Sequence, residues 1–536
     1  MRVAARPAHA PVRGWTRPAR AAAALVLSAA SGFAGFAAHP PIGVWWLSLL
    51  VVPLLLAALV VRQVPADGPI TRRWAGVLGG LAGAVTFLPM LRWLIRPAGY
   101  LGWLALSLTM VAWYALTAVV LRHHVRSARV VLAAPVLWTG MEIWRGSFPL
   151  SGFAWGTLDY AHAAGSWLLP LARLLGSSAI SLVTVLLGAL VFHAVRAAAT
   201  RRGARTRMLA AAPALGAAAV VSVAPLASPA APPHDGTTID VLAVQGNDLV
   251  AFAGSSRDED VAIARRMVAE TRASVQRHGR PDLTVWPESA IDRDPFGGSG
   301  TYLRPYLLQG AALTGGQLLV GTNLDGPDPT TQFLNTAHLV DGDGRALDRY
   351  VKRRYVPFGE YVPFRPLLTA LVPPLRQVPR DGVPGPGPHA VTTRSADVAV
   401  VICYETLYRS VVRDNLRAAD AGLVVAVTND ATFGQGAESD QHVAQSRMRA
   451  VETGRWVLHA ALSGGSALID PDGRVVRRTG LFERATIRAD VPLVTADTPF
   501  VVLGDVAADV LRWAAVALLA VGLVDRRRGT EGELAT

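Results

Sequence analysis

Three apolar runs in this 536-residue chain each end on a side chain able to take part in covalent chemistry. Val-Ala-Val-Val-Ile-Cys-Tyr-Glu at 398–405 carries Cys403, the only cysteine. Thr-Val-Trp-Pro-Glu-Ser at 284–289 carries Glu288, and the stretch 349–361 carries Lys352 and, eight positions on, Glu360. A thiol is mostly protonated at neutral pH, and more so when buried. To attack an ester, Cys403 needs a base within hydrogen-bond reach, and Glu288 is suited to that. The oxyanion then formed needs a fixed positive partner. Lys352 fits, helped by a backbone N–H such as that of Tyr404. Glu360 is placed to hold the lysine. Singly, each residue has a plainer reading: a core cysteine, a solvated strand-end Glu288, a surface Lys352, and Glu405 in a salt bridge. One observation weighs against the plain reading of Lys352. It is the sole lysine among 52 basic residues, as if that position required a compact point charge that arginine cannot supply.

The runs that deliver these residues read as buried strands, whose ends are where α/β folds place catalytic groups. A strand is expected at 239–245, then a helix at 257–278 capped by Ser256, and the strand ending at Glu288. A helix at 304–314, a strand at 317–323 and a hairpin follow. The hairpin pairs 334–340 with 345–351 around Asp341-Gly342-Asp343-Gly344 and delivers Lys352. The long loop 353–390 holds an apolar stretch at 364–375 that suits lipid better than water. Beyond Cys403 come a helix at 408–420, a strand at 423–428, a helix at 440–454, a hairpin at 456–476 and a strand at 484–491. This alternation defines an α/β domain.

The composition requires a second kind of structure. Hydrophobic residues make up 51% and charged residues 17%, with mean hydropathy +0.33, too apolar for an ordinary soluble protein. Candidate spans fall at 21–37, 43–62, 74–92, 101–121, 130–145, 166–195, 207–228 and 503–524. Arginines crowd the loops 62–73, 122–129 and 196–207 and the tail at 526–528, and residues 1–20 are basic without an acid. Placing these on the cytoplasmic side requires seven spans before residue 229 and one after 502. Both termini are then cytoplasmic, and 229–502 lies outside. The organisation expected is a basic N-terminus (1–20), a membrane domain (21–228), an extracytoplasmic catalytic domain (229–502), an eighth span (503–524) and a tail (525–536). Arg92, Arg96 and Arg145 fall on the outer side, read equally as snorkelling or as contacts to lipid phosphate. The loop 148–156 is read as an interfacial turn or a floor beneath the catalytic domain. The net charge of +13 lies in short loops between apolar segments, which argues against nucleic acid. With one cysteine there is no internal disulfide.

W-P-E-S at 286–289, K-x-x-x-V-P-F-G-E at 352–360 and I-C-Y-E at 402–405 resemble the three motifs of the nitrilase, or carbon–nitrogen hydrolase, superfamily. Val-Pro-Phe-Gly-Glu-Tyr-Val-Pro at 356–363, set between multiple spans, is similar in particular to the apolipoprotein N-acyltransferase family. Val-Gln-Gly-Asn at 244–247, Asn-Asp-Ala-Thr-Phe-Gly at 429–434, Gln-His at 441–442, and the strings 447–450 and 452–455 add to the resemblance. It implies a polytopic α-helical membrane domain with about eight spans plus an extracytoplasmic α-β-β-α sandwich. Glu288 is then the base, Lys352 the oxyanion stabiliser and Cys403 the nucleophile, with Glu360, Tyr404 and Glu405 in support. Trp286, Phe358, Tyr361, Asn429 and Phe433 are assigned to substrate contact. The implied activity, in the cell (inner or plasma) membrane of a bacterium, takes an acyl chain from a phospholipid as a Cys403 thioester. The thioester passes it to the N-terminal amine of diacylglyceryl-cysteine in an apolipoprotein. No metal or other cofactor is expected. The alternatives are a membrane-anchored amidase acting on a small amide, with water as acceptor, and a non-catalytic scaffold. Two places depart from the family pattern: Thr432 stands where tryptophan is usual, and 248–252 lacks the usual Pro-Gln pair and tryptophan. Both bear on substrate preference.

Overall fold

The computed structural model describes residues 16–62, 70–201, 203–234, 236–248, 256–315 and 317–533. The expectations for 1–15, for most of the 62–73 loop, for Arg202 and for 249–252 lie outside the described residues.

Helices fill the first part of the chain: α1 (Arg17–Ala38), α2 (Ser48–Arg62), α3 (Arg72–Met90), α4 (Ile95–Leu121) and α5 (Val130–Arg145). Two short helices, α6 (Leu158–Ala161) and α7 (Ala172–Leu175), precede α8 (Ser178–Ala199) and α9 (Ala204–Val223). Among the described residues, five helical segments are long and apolar enough to cross a membrane: Arg17–Ala38, Trp45–Arg62, Arg92–Leu121, Ser178–Ala199 and Ala204–Ala227. Small residues let them pack closely. A Cβ on Gly32 would meet the Ala82 carbonyl oxygen at 2.3 Å, and one on Gly79 would meet that of Tyr114 at 2.6 Å, so α1, α3 and α4 approach backbone to backbone.

The single span expected at 166–195 is not continuous. Its first part is broken into turns around α7, and Gly176, at φ +78°, ends that segment before α8 begins. The break has a physical reason: Arg173 donates to Asp472 and to the Pro471 carbonyl, so this segment serves the α/β domain. Arg145 neither snorkels nor faces lipid phosphate. It is 1% exposed and donates to the Trp155 carbonyl at 2.7 Å, bracing the loop that follows α5.

The α/β domain opens with β1 (Thr238–Gln245), α10 (Arg257–His278), β2 (Leu283–Ile291), α11 (Arg304–Thr314), β3 (Leu318–Asp325), β4 (Gln332–Val340) and β5 (Ala346–Val351). Next come the exposed helix α12 (Arg365–Leu371), the two-residue strand β6 (Asp381–Gly382), β7 (Ala390–Thr392) and β8 (Asp397–Ile402). The second half comprises α13 (Arg409–Arg417), β9 (Leu423–Thr428), α14 (Glu438–Thr453), β10 (Trp456–Ala461), β11 (Ala467–Ile469), β12 (Val475–Arg478) and β13 (Ala485–Pro492). The segment 456–476 is thus part of a three-stranded unit, not a two-stranded hairpin. A short α15 (Pro499–Leu503) leads into α16 (Val506–Glu533), which packs on α5 and runs beyond the span expected at 503–524.

The strands form two sheets, ordered β13-β1-β2-β3-β4-β5 and β12-β11-β10-β9-β8-β7. Their apolar faces meet in one core that includes Val241, Val285, Val400 and Val425. Helices α10 and α11 cover the outer face of the first sheet through Met267 and Leu307. Helices α13 and α14 cover that of the second through Val412 and Ala450. These four layers make the α-β-β-α sandwich, and near-continuous Val, Ile and Leu runs are what strands covered on both faces require.

Candidate active site

Glu288 lies in the second half of β2, three residues before its last residue, and Lys352 and Cys403 directly follow β5 and β8. Near each, the backbone enters the left-handed region that non-glycine residues rarely adopt: Ser289 (φ +57°), Phe358 (φ +65°) and Cys403 (φ +50°). Such strain persists only where the surrounding structure enforces it. Cys403 opens a 3-10 turn over Cys403–Leu407, so its thiol stands on a sharp strand-to-helix bend, half-buried.

Lys352 is completely buried. Its Nζ donates to Glu360 Oε1 at 2.7 Å and to Glu288 Oε1 at 3.2 Å. Asn335 Nδ2 donates to the same two oxygens, at 3.2 and 2.7 Å. The Asn429 backbone N–H holds Glu288 Oε2 at 2.9 Å, and that of Val356 holds Glu360 Oε2 at 2.7 Å. Burial works against the ammonium, but the two carboxylates outweigh it and hold the Lys352 pKa well above its ordinary value. Burial pushes the Cys403 thiol well above the usual cysteine range. The Glu288 carboxylate pushes it further, and the Lys352 ammonium draws it back. The thiol is therefore held protonated beside a carboxylate and a permanent positive charge. That arrangement can perform acyl transfer through a thioester.

Glu405 does not join this cluster. Fully buried, it accepts from the backbone N–H groups of Arg353 (2.7 Å), Arg354 (3.1 Å) and Ile402 (3.0 Å), and from the Tyr350 hydroxyl at 2.9 Å. It ties the segment carrying Lys352 to the strand carrying Cys403. Tyr404 donates its hydroxyl to the Gly152 carbonyl at 2.8 Å, and Phe153 lies stacked on its ring. The loop 148–156 is thus packed directly under the turn that carries Cys403.

The residues assigned to substrate contact divide. Trp286 is removed from the site: 0% exposed, it lies between β2 and the helices, with Nε1 donating to Thr271 at 3.0 Å and its ring against Gly310. It is a core residue, packed in the cluster that α10 and α11 form on the first sheet. Asn429 serves Glu288 through its main chain, and its side chain accepts from the Ala431 N–H at 3.1 Å. Phe433 meets Trp93 edge to face at 4.9 Å. Phe358 is 43% exposed, and Tyr361 is half-buried beside it.

Two positioning residues were not evident from sequence. Asn335 lies on β4, far from every motif, and only strand pairing brings it to the carboxylates. His442 places Nε2 at 3.1 Å from the Cys403 carbonyl oxygen and 2.9 Å from Thr406 Oγ1. Its one sequence signal was the Gln-His pair at 441–442.

A two-sheet sandwich with a carboxylate, lysine and cysteine at its strand ends, mounted on apolar helices, defines a membrane-associated protein of the carbon–nitrogen hydrolase class. The carbon-nitrogen hydrolase family model matches residues 241–498, and the apolipoprotein N-acyltransferase N-terminal domain model matches residues 31–190. Among curated relatives, the apolipoprotein N-acyltransferase of Ralstonia nicotianae is 31% identical over 95% of this chain and 95% of its own length. That of Rhizobium meliloti is 30% identical over 86% and 88%, and that of Azotobacter vinelandii 29% over 94% and 95%. The chain belongs to the apolipoprotein N-acyltransferase family.

Proposed function

We propose that this chain is the enzyme that N-acylates lipoproteins, with Cys403 as the acyl carrier. The observation that carries this reading is Lys352 buried between Glu288 and Glu360 and electrostatically coupled to Cys403. The first half-reaction begins with the Cys403 sulfur attacking a phospholipid ester carbonyl while its proton passes to Glu288. Lys352 and the Tyr404 N–H stabilise the oxyanion. On collapse the ester C–O bond breaks, Glu288 returns the proton to the departing oxygen, and a lysophospholipid leaves. In the second half-reaction the α-amine of diacylglyceryl-cysteine attacks the thioester. Its proton passes to Glu288, the C–S bond breaks, the thiol is re-formed and an amide results.

A lipid donor is supported by helix α12 and its flank, where Phe364 (76%), Leu367 (60%) and Leu371 (68%) are exposed on a segment anchored by Arg365 to Asp381. Apolar side chains presented in this way suit a bilayer surface. The alternation of arginine-rich loops supports eight spans, cytoplasmic termini and an extracytoplasmic domain over 229–502, joined to a membrane domain over 21–228 and a last span over 503–524. Intact-mass spectrometry after incubation with a defined phospholipid tests the reading. One added acyl mass, removed by hydroxylamine and absent in Cys403→Ala, is expected. No adduct from any phospholipid, with turnover of a small amide instead, would overturn it in favour of an amidase.

A further inference from the structure

Behind the nucleophile lies a second cluster that the acyl-transfer chemistry does not use. Asp430 follows β9, His459 lies on β10, and Glu438 and His442 sit one turn apart on α14. All four are at most 3% exposed. Donor atoms of Asp430, His442 and His459 lie within 4.8 Å of one another. His442 Nδ1 is 3.1 Å from Asp430 Oδ1 and 3.7 Å from Glu438 Oε1. Hydrogen bonding within the cluster is incomplete. Asp430 Oδ2, Glu438 Oε2 and His459 Nε2 are buried with no hydrogen-bond partner, which native structures rarely tolerate.

We propose that Asp430, His442 and His459 bind one divalent transition-metal ion of the zinc type. Two imidazoles and one carboxylate form a donor set suited to such an ion, with a fourth position open to water. With metal–ligand distances of about 2.0–2.1 Å, tetrahedral ligand atoms stand roughly 3.4 Å apart, close to the 3.1 Å between His442 Nδ1 and Asp430 Oδ1. The second nitrogen of each histidine supports this reading. His459 Nδ1 lies 2.9 Å from Ser446 Oγ, which leaves Nε2 for the ion. His442 Nε2 lies 3.1 Å from the Cys403 carbonyl oxygen, which turns Nδ1, 3.1 Å from Asp430 Oδ1 and 3.4 Å from Thr428 Oγ1, toward the ion. Histidines on metals characteristically donate their other N–H to an oxygen in this way. The ion would join the ends of β9 and β10 to α14 and keep a proton on His442 Nε2, directed at the nucleophile's own carbonyl. Its role is to position the Cys403 turn.

The test uses the full-length protein in detergent, stripped with a chelator and reloaded with Zn²⁺ or Co²⁺. Elemental analysis should find one ion per chain in the native protein and in Cys403→Ala. The Co²⁺ form should show the intense visible bands of a four-coordinate site. His459→Gln and Asp430→Asn should bind roughly tenfold more weakly or worse, with circular dichroism matching the stripped native protein. Folded native protein that takes up no stoichiometric ion would overturn the proposal. So would an ion lost in Cys403→Ala but retained in His459→Gln, which would mark a thiol site. Metal content is read without turnover, so the result is independent of the acyltransferase reading.

Discussion

The Tyr404 hydroxyl donates to the Gly152 carbonyl at 2.8 Å, joining residues 252 positions apart in sequence. One belongs to the turn that carries Cys403 and the other to the loop that follows α5. The bundle therefore contributes directly to the geometry of the catalytic turn. Tyr404→Phe keeps the ring on Phe153 but removes the donor. Expected are a stability loss of about 1 kcal/mol, read by thermal unfolding, and acyl-enzyme formation slowed by about an order of magnitude. An unchanged rate with unchanged stability would show that this bond positions nothing.

Lys352 is a single cation shared by two carboxylates in a dry site. Lys352→Met leaves Glu288 and Glu360 facing each other without a countercharge, an expected loss of about 3–5 kcal/mol. Adding Glu360→Gln removes that repulsion and leaves one unpaired carboxylate in place of two, so the double variant should unfold at a higher temperature than Lys352→Met alone. Lys352→Arg should not restore activity, because the guanidinium fork does not fit the volume of an ammonium already in contact with two oxygens.

Glu288→Gln retains the shape of the side chain and its bond from the Asn429 N–H but cannot take a proton. The acylation rate should fall by about 10²–10⁴-fold, measured as the single-turnover burst of thioester. A burst of native rate would remove Glu288 from the role of base.

The raised Cys403 pKa gives a direction for its pH dependence. Burial and the Glu288 carboxylate favour the neutral thiol in the folded protein, against the pull of Lys352. The group therefore contributes stability below the ordinary cysteine pKa, and that contribution is lost as pH rises through the elevated folded value. Alkylation of the single thiol should be slow at neutral pH and still rising beyond pH ~8.5, the ordinary cysteine value. Glu288→Gln should move the profile to lower pH, and Lys352→Met to higher. A plateau near neutral pH in the native protein would contradict this electrostatic account.

Glu405 makes a different prediction. Its carboxylate accepts from three backbone N–H groups and one hydroxyl, so Glu405→Ala strands buried donors rather than removing a reacting group. The expected result is a loss of several kcal/mol in stability. Glu405→Gln should lose less, because its amide retains one acceptor oxygen. Thermal melts of the two variants decide between this bracing role and a role in catalysis.

Much of the fold was legible because burial leaves a pattern in sequence. Apolar runs covered on both faces marked β2, β8 and β9, and apolar stretches of about 20 residues marked α1, α2 and α4. Glu288, Lys352 and Cys403 stood out because each interrupts or ends such a run. What a linear pattern cannot carry is which strand lies beside which. Asn335 became a partner of both carboxylates only through the pairing of β4 with β3 and β5. Trp286, in the same motif as Glu288, proved to be core because its ring packs under the covering helices, against Gly310 and Thr271. The break before α8 was hidden because Leu, Ala and Pro read as membrane whether they cross it or fold back toward Asp472. The sequence by itself determined the chemical inventory and the elements that carry it. The tertiary structure alone decided which groups share the buried space at the strand ends, because that depends on sheet order and on contacts hundreds of residues apart.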